Sequence, residues 1–239
     1  MRTAACSVLA LAALVTAAQI PAAAGLQDEP EDRAIVERFL AQESGLVSYE
    51  ALRYLSVVAR GGRMQAALTA RTSLDAAGRF EYQVVDESGS GFLRSRVLHP
   101  ILEAEQQAKR RAHGAHGALT IENYEFTSED RTADGLLRVR IAPKRKDDLL
   151  VDGSILLTCA ASDLVRMEGL LVKRPSFWTR KVRIVRDYGR IAGVRVPLTT
   201  GSTADVLFAG QSSFTMRYEY LSINGAAVSP GTAAVSSPH

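Results

Sequence analysis

The sequence lacks the features that most quickly assign a chain to a class of proteins. Its 29 basic and 26 acidic residues leave a formal net charge of only +3, an excess too small to indicate nucleic-acid binding. Beyond the N-terminus it has no apolar run long enough to span a membrane. It has no internal repeat and no proline-rich linker, so we expect one domain to follow the N-terminal segment.

The N-terminus has the layout of a secretory signal peptide. Arg2 supplies a positive charge, residues 8–15 are apolar, and Ala22-Ala23-Ala24 provides small residues for cleavage. The apolar run is short for a membrane-spanning helix, which needs about 20 residues, and Pro21 follows it. The pattern predicts that residues 1–24 are removed and that the mature protein is periplasmic. A membrane anchor is the alternative.

Cysteine is nearly absent. Cys6 lies in the predicted signal peptide, so that Cys159 is the one cysteine of the mature chain and an intramolecular disulfide is excluded. Cys159 ends an alternating run, residues 155–159, without the histidine and positive surroundings that a nucleophilic cysteine needs. The pattern therefore predicts a buried thiol in the core.

Motifs for catalysis or metal binding are also missing. His113 and His116 form the only close histidine pair, and they lie between glycines without the glutamate of a His-Glu-x-x-His motif. No Gly-x-Ser-x-Gly motif is present. The glycine-rich residues 88–91 lack the lysine of a phosphate-binding loop and are predicted to be a flexible connection. We therefore predict no catalytic, cofactor-binding or metal-binding residues, and a secreted hydrolase with an unrecognised site is the least favoured alternative.

Alternation of apolar and polar residues dominates what remains. In the segment 180–198 the side chains of Val182, Ile184, Val194 and Val196 are expected on one face of a β-hairpin, and basic residues on the other. Similar alternation elsewhere predicts strands within residues 47–59, 64–71, 80–84, 137–141, 155–159, 165–171, 205–208 and 214–220. Helical spacing predicts helices at residues 30–43 and 100–112, the second beginning at Pro100. Residues 25–228 are predicted to form the domain and residues 229–239 a disordered tail.

Two groups of aromatic and apolar side chains are candidates for contact with a ligand. Phe177 and Trp178 follow a basic pair and are expected either in the core or at the rim of an apolar cavity. Phe214, Met216 and Tyr218 share one face of the last long strand. The charged run at residues 143–148 is either a solvated turn or a weak contact with lipid headgroups.

From about Asn123 onward the order of motifs resembles the LolA/LolB-like superfamily of outer-membrane lipoprotein carrier and sorting proteins. The pieces that match are Pro143-Lys144-Arg145-Lys146, Asp152-Gly153-Ser154-Ile155, Val165-Arg166-Met167-Glu168-Gly169 and Pro175-Ser176-Phe177-Trp178, followed by the hairpin at residues 180–198. The order of helices and strands resembles that family over residues 30–225, and recognisable sequence motifs are confined to residues 140–200. It implies a mainly β (α+β) fold in which a curved antiparallel sheet forms an unclosed half-barrel, with helices covering its concave face.

The resemblance also implies a function. It predicts a binding protein without enzymatic activity or cofactor that holds the acyl chain of a lipid or lipoprotein in the apolar concavity, with peripheral membrane contact possible. Carrier proteins of this kind have a gating arginine on an early strand, for which Arg53, Arg60 and Arg63 are the candidates. The alternative is an envelope sensor or scaffold that binds a protein partner.

Overall fold

The structure, a computed structural model, describes residues 30–43, 45–110, 117–147, 149–173, 179–206 and 210–229, and for residues 179, 180 and 206 it describes the backbone alone. The predicted signal peptide and residues 230–239 of the predicted tail lie outside these ranges. Helix α1 (Pro30–Ala41) precedes the strands β1 (Tyr49–Ala59), β2 (Met64–Leu74) and β3 (Phe80–Gly89).

After β3, three helical pieces continue into one another: α2 (Gly91–Leu93), a π-helical turn (Arg94–Leu98) and α3 (His99–Arg110). Together, residues 91–110 are called the cover helix below. The strands of the second half are β4 (Tyr124–Arg131), β5 (Leu137–Pro143), β6 (Val151–Leu157), β7 (Leu164–Leu171), β8 (Thr179–Ile191), β9 (Val194–Val206), β10 (Gly210–Ile223) and the short β11 (Ala226–Ala227).

All long strands belong to one antiparallel sheet in the order β3-β2-β1-β10-β9-β8-β7-β6-β5-β4. The N-terminal meander joins the sheet through β1, which pairs with β10 so that Leu55 lies opposite Met216. Strands β3 and β4 form the two ends of the strand order, and the sheet is an open half-barrel with helices on one face. The predicted fold class is thereby confirmed.

Helix α1 covers one half of the inner face. Glu31 and Asp32 lie in its first turn, where carboxylates are favourable at the positive end of the helix dipole. Ile35 and Phe39 are almost fully buried and pack into a cluster with side chains of β4 to β7. This cluster is called the α1 cluster. Its further members are Val36, Tyr124, Leu137, Val139, Ile141, Leu150, Val151, Ile155, Leu157, Leu164 and Met167.

The cover helix closes the other half of the inner face. Its side chains Leu93, Leu98 and Leu102 are buried in a second cluster, called the cover cluster, with residues of β1, β2 and β10 that include Leu55 and Met216. Both predicted helices therefore lie on the sheet face on which they were expected.

The start of the cover helix was predicted wrongly. Ser88 and Gly89 belong to β3, and Ser90 caps the helix by accepting the N–H of Leu93 on its Oγ at 3.5 Å. Pro100 is inside the helix, where it cannot donate a hydrogen bond and would crowd the preceding turn of an α-helix. The π-helical turn just before it, in which the N–H of His99 bonds to the carbonyl of Arg94, widens the helix at this point.

Cys159 also differs from the expectation of a thiol buried in a strand. Strand β6 ends at Leu157, so that Cys159 lies in the turn beyond it and is only partly buried at the margin of the α1 cluster. Its thiol donates to the carbonyl of Gly135 at 3.2 Å. The alternation that suggested a longer strand stops where the chain turns towards Leu164 to begin β7.

Two glycines of the quoted motifs have a steric explanation. Gly153 of β6 pairs with Gly169 of β7. A Cβ atom at residue 153 would lie 2.0 Å from the carbonyl oxygen of Glu168, and one at residue 169 would lie 2.4 Å from that of Asp152. The close approach of β6 and β7 at this point therefore requires glycine in both strands.

Candidate functional site

Between the two clusters, the inner face of β8, β9 and β10 carries partly buried side chains beside buried ones such as Val196, Thr200 and Tyr220. In β8 the buried Val182 and the partly buried Ile184 and Arg186 alternate with Lys181, Val185 and the exposed Arg183, and the register shifts after Asp187. The register places Arg186 of β8 beside Thr200 of β9, and Thr200 beside Met216 of β10. The partly accessible side chains of this region are called the central strip: Ile184, Arg186, Tyr188, Leu198, Phe214 and Tyr218.

The central strip touches both helix-covered clusters. Ile184 and Tyr188 pack against the α1 cluster, and Phe214 and Tyr218 pack against the cover cluster. Of the residues predicted to contact a ligand on the last long strand, Phe214 and Tyr218 therefore lie in the strip. Met216 is 5% exposed and belongs to the cover cluster instead. The other two, Phe177 and Trp178, lie outside the described residues.

A buried ion pair joins the cover helix to the sheet beside the central strip. Arg53 is 1% exposed and shares the inner face of β1 with Ala51 and Leu55. Its Nη1 and Nη2 donate to the two carboxylate oxygens of Glu105 in α3, at 2.5 and 3.0 Å, and Nη2 also donates to the Tyr49 hydroxyl. Such a bidentate pair is among the stronger polar contacts of proteins because both donors and both acceptors align.

Aromatic rings enclose the guanidinium of Arg53. Its Cζ lies 4.8 Å from the ring centroid of Tyr218 and 4.9 Å from that of Phe80, distances at which a cation is attracted to a ring face. Burial by itself lowers the pKa of Arg53, but the hydrogen bonds and the charge of Glu105 outweigh it and hold the pKa above its ordinary value. Arg53 therefore remains charged inside the fold.

Of the three early arginines considered from the resemblance, Arg53 alone faces the inside of the half-barrel. Arg60 and Arg63 are exposed in the turn between β1 and β2. The sequence contained a signal for this position, because Arg53 falls in register with Tyr49, Ala51, Leu55 and Val57, all of which point inward.

A second arginine, Arg186, lies on the inner face within the central strip. Its Nε donates to Thr200 Oγ1 at 3.3 Å, and its guanidinium faces Tyr188 and Tyr218. Burial lowers the pKa of Arg186, and the neighbouring tyrosines and the charge of Glu105 raise it to a net value above the ordinary one. The expected separation into an apolar and a basic face of β8 is therefore wrong at this residue.

Tyrosine hydroxyls complete the polar part of the inner face. Burial raises the pKa of Tyr218, Tyr49 and Tyr220 above the ordinary value, so that all three stay protonated at neutral pH. The Tyr220 hydroxyl donates to the carbonyl of Pro197 at 2.9 Å. The site thus combines apolar side chains, protonated hydroxyls and two guanidinium groups.

The histidines do not assemble a metal site in the part of the chain that the structure describes, since no three His, Cys, Asp or Glu side chains cluster there. His99 contacts Glu87 through its Nε2 at 2.9 Å, and His113 and His116 lie outside the described residues. No helix within the described ranges is long and apolar enough to cross a membrane.

No protein-family model matches the sequence, and no curated protein matches it either. Among solved structures, the chain is similar to the LolA superfamily protein NE2245 from Nitrosomonas europaea, with a TM-score of 0.44 and 8% identity over 78% of this chain and 90% of that one. An outer membrane lipoprotein-sorting protein domain from Vibrio parahaemolyticus is similar at a TM-score of 0.39 and 9% identity, over 84% of this chain and 95% of that one.

The similarity to LolA-superfamily structures was predicted from the motifs and is confirmed. A further similar structure is MucB in complex with MucA(peri), at a TM-score of 0.21 and 11% identity over 79% of this chain and 93% of that one. At identities of 8 to 11%, no role of an individual side chain carries over from these proteins to this chain.

Proposed function

We propose that the protein is a non-catalytic carrier of the periplasm, which holds the acyl chain of a lipid or lipoprotein along the central strip. The observation that supports this most is the difference in burial across the inner face. Both helix-covered clusters are closed to solvent, whereas the six side chains of the strip between them remain partly accessible.

An acyl chain suits the strip because five of its six side chains are apolar or aromatic, namely Ile184, Tyr188, Leu198, Phe214 and Tyr218. Covering apolar surface in this way contributes about 25 cal/mol per Å² removed from water. Concave sites with an apolar lining and few polar groups are typical of small-molecule binding sites. The predicted signal peptide places such a protein in the cell envelope, where acyl chains of lipoproteins must be shielded from water.

The test is binding of acyl ligands to the purified mature protein. Native mass spectrometry after gentle purification is expected to detect bound lipid, and a neutral fluorescent probe such as Nile red should be displaced by a twelve-carbon alcohol. Ile184→Trp places a bulky side chain in the strip and is expected to weaken displacement at least tenfold. Arg183→Trp, on the adjacent exposed position of β8, is the matched control and should bind as the wild type does.

A protein that carries no lipid and does not bind the probe or the alcohol would contradict this proposal. Crosslinking in the envelope that traps one protein partner and no lipid would then favour the sensor or scaffold function.

A further inference from the structure

Arg186 has no acidic partner at ion-pair distance among the described residues. Its side chain donates from Nε to Thr200 Oγ1 at 3.3 Å and also hydrogen-bonds the hydroxyl of Tyr188, and both partners are uncharged. Tyr218 also lies near the guanidinium, and Glu105 acts on it from beyond ion-pair contact. A partly buried guanidinium without a carboxylate partner is suited to take up an anion, since charges removed from water are normally paired.

Glu105 is not available to neutralise Arg186. Both of its carboxylate oxygens accept hydrogen bonds from Arg53, whose side chain is 2% exposed. Arg53, Arg186 and Glu105 together carry two positive charges and one negative charge. These three groups leave a net charge of +1 on the inner face beside the cover helix, which Tyr218 does not cancel because burial raises its pKa and keeps it protonated.

The surroundings of Arg186 suit an oxygen-bearing anion at the end of an apolar chain. The guanidinium hydrogen-bonds the hydroxyl of Tyr188, and Tyr218, which hydrogen-bonds Thr200, lies close to it. Ile184 lies two residues before Arg186 on the same face of β8. Phe214 lies on β10, two residues before Met216, which is the residue that pairs with Thr200. Polar donors and apolar surface thus meet at one point of the central strip.

We propose that Arg186 binds the oxoanion of an anionic amphiphile, a carboxylate or a phosphate, whose acyl chain lies along the central strip. This rests on the proposed function and adds to it the charge of the ligand's head. The incoming anion neutralises the net charge of +1 and receives charge-assisted hydrogen bonds from the guanidinium, which are the stronger kind.

The experiment compares two ligands of equal chain length at pH 8, dodecanoate and dodecanol, by displacement of Nile red. The wild-type protein is expected to bind dodecanoate at least tenfold more tightly than dodecanol. Arg186→Met should bring dodecanoate to the affinity of dodecanol and change dodecanol binding by no more than about twofold. Arg183→Met, which removes an exposed guanidinium from the opposite face of β8, should leave both affinities unchanged.

The outcomes separate the two proposals. If neither ligand binds, the proposed function is wrong. If the wild type binds both equally, the protein holds acyl chains but the role of Arg186 is overturned.

Dodecyl phosphate distinguishes the two oxoanions by its affinity relative to dodecanoate. Inorganic phosphate alone that protects the protein from thermal unfolding through Arg186 would show that the site takes a free anion, and would overturn the acyl part of this inference.

A loss of folding in Arg186→Met does not remove the test. Arg186→Lys keeps the positive charge in a smaller group and is expected to fold and to retain part of the preference for dodecanoate. A folded Arg186→Lys protein with the full wild-type preference supports recognition by charge alone. A folded one with no preference, beside a wild type that discriminates, supports recognition by the guanidinium geometry. Absence of discrimination in the wild type overturns both.

Discussion

Helix α1 and the cover helix lie on the same face of one sheet but are attached to it by different chemistry. Helix α1 is held by apolar side chains that complete the α1 cluster, with Phe39 in edge contact with the ring of Phe126 at 6.5 Å between centroids. The cover helix combines three buried leucines with the ion pair between Glu105 and Arg53. It also contains a π-helical turn and an internal proline.

The comparison indicates which half is fixed and which half can respond to a ligand. Apolar packing depends little on the charge of what binds nearby, so that α1 is expected to behave as part of the core. The contact between Glu105 and Arg53 is electrostatic and lies next to the central strip, where a ligand's charge would act on it. Substitutions in the two halves and a change of pH test this difference.

Phe39→Ala should cause the largest loss of stability, about 3–5 kcal/mol as for large aromatic truncations in cores. Phe39 is 3% exposed and its ring also lies 5.1 Å from the guanidinium carbon of Arg195. Urea unfolding followed by circular dichroism measures the change. The control on the same helix is Arg33→Ala, whose ion pair with Glu37 is exposed and whose loss should stay within about 0.5 kcal/mol. Similar midpoints for both variants would mean that α1 is a detachable cover.

Glu105→Gln should cost about 3 kcal/mol, because it leaves the buried charge of Arg53 without its partner. Hydrogen exchange should accelerate across the cover helix and stay unchanged in α1. The matched control is Glu103→Gln, which changes an exposed carboxylate two residues earlier. In the double variant Arg53→Met/Glu105→Met most of the stability should return, since removal of both charges avoids the unpaired one. Equal acceleration in both helices would show that the two halves of the sheet open as one unit.

The helices and most strands were predictable because their signals are local. Leu137, Val139 and Ile141 alternate with arginines in the sequence and are fully buried in β5. The early start of the cover helix was not predictable from the residues around it, since Ser90 and Pro100 each favour a helix start when considered alone.

The polar part of the site was missed for a different reason. Arg53 and Arg186 fall on inward positions of their strands, but charged side chains are usually assigned to the solvent face. The alternation of each strand predicts an inward side chain at both positions, whereas the charge of arginine predicts a side chain that faces solvent. What stabilises the charge of Arg53 at this inward position is Glu105, which comes from a helix 52 residues further along the chain. That contact is tertiary, and periodicity within one strand does not contain it.

Alkaline pH should destabilise the half of the sheet next to the cover helix more than the half next to α1. Burial raises the pKa of Tyr49, Tyr218 and Tyr220 above the ordinary 10.0, so the folded state keeps protons that the unfolded chain releases. The stability they protect is present below pH 10 and lost as the pH rises, by about 1 kcal/mol per tyrosine between pH 10 and 11. On the α1 side, burial raises the pKa of Tyr124 in the same direction.

Urea titrations at pH 8, 10 and 11 measure this slope. Tyr220→Phe loses a hydrogen bond worth about 1 kcal/mol at every pH, but its stability should fall less steeply above pH 10 than that of the wild type. An unchanged slope would show that Tyr220 ionises in the folded state as readily as in the unfolded one.

The smallest effect is expected from an ion pair on the outer face, which matches the inner pair in chemistry but not in burial. Arg138 of β5 contacts Asp130 at 3.1 Å and Glu168 at 3.4 Å, and its side chain is 31% exposed. Glu168→Gln removes one of these partners and should cost less than about 1 kcal/mol, as exposed pairs usually do. Salt at 1 M shortens the screening length to about 3 Å, so the small loss should vanish there, while the loss in Glu105→Gln should persist. A salt-sensitive loss at Glu105 would mean that water reaches the Arg53 pair, and that the cover helix already stands open at the central strip without a ligand.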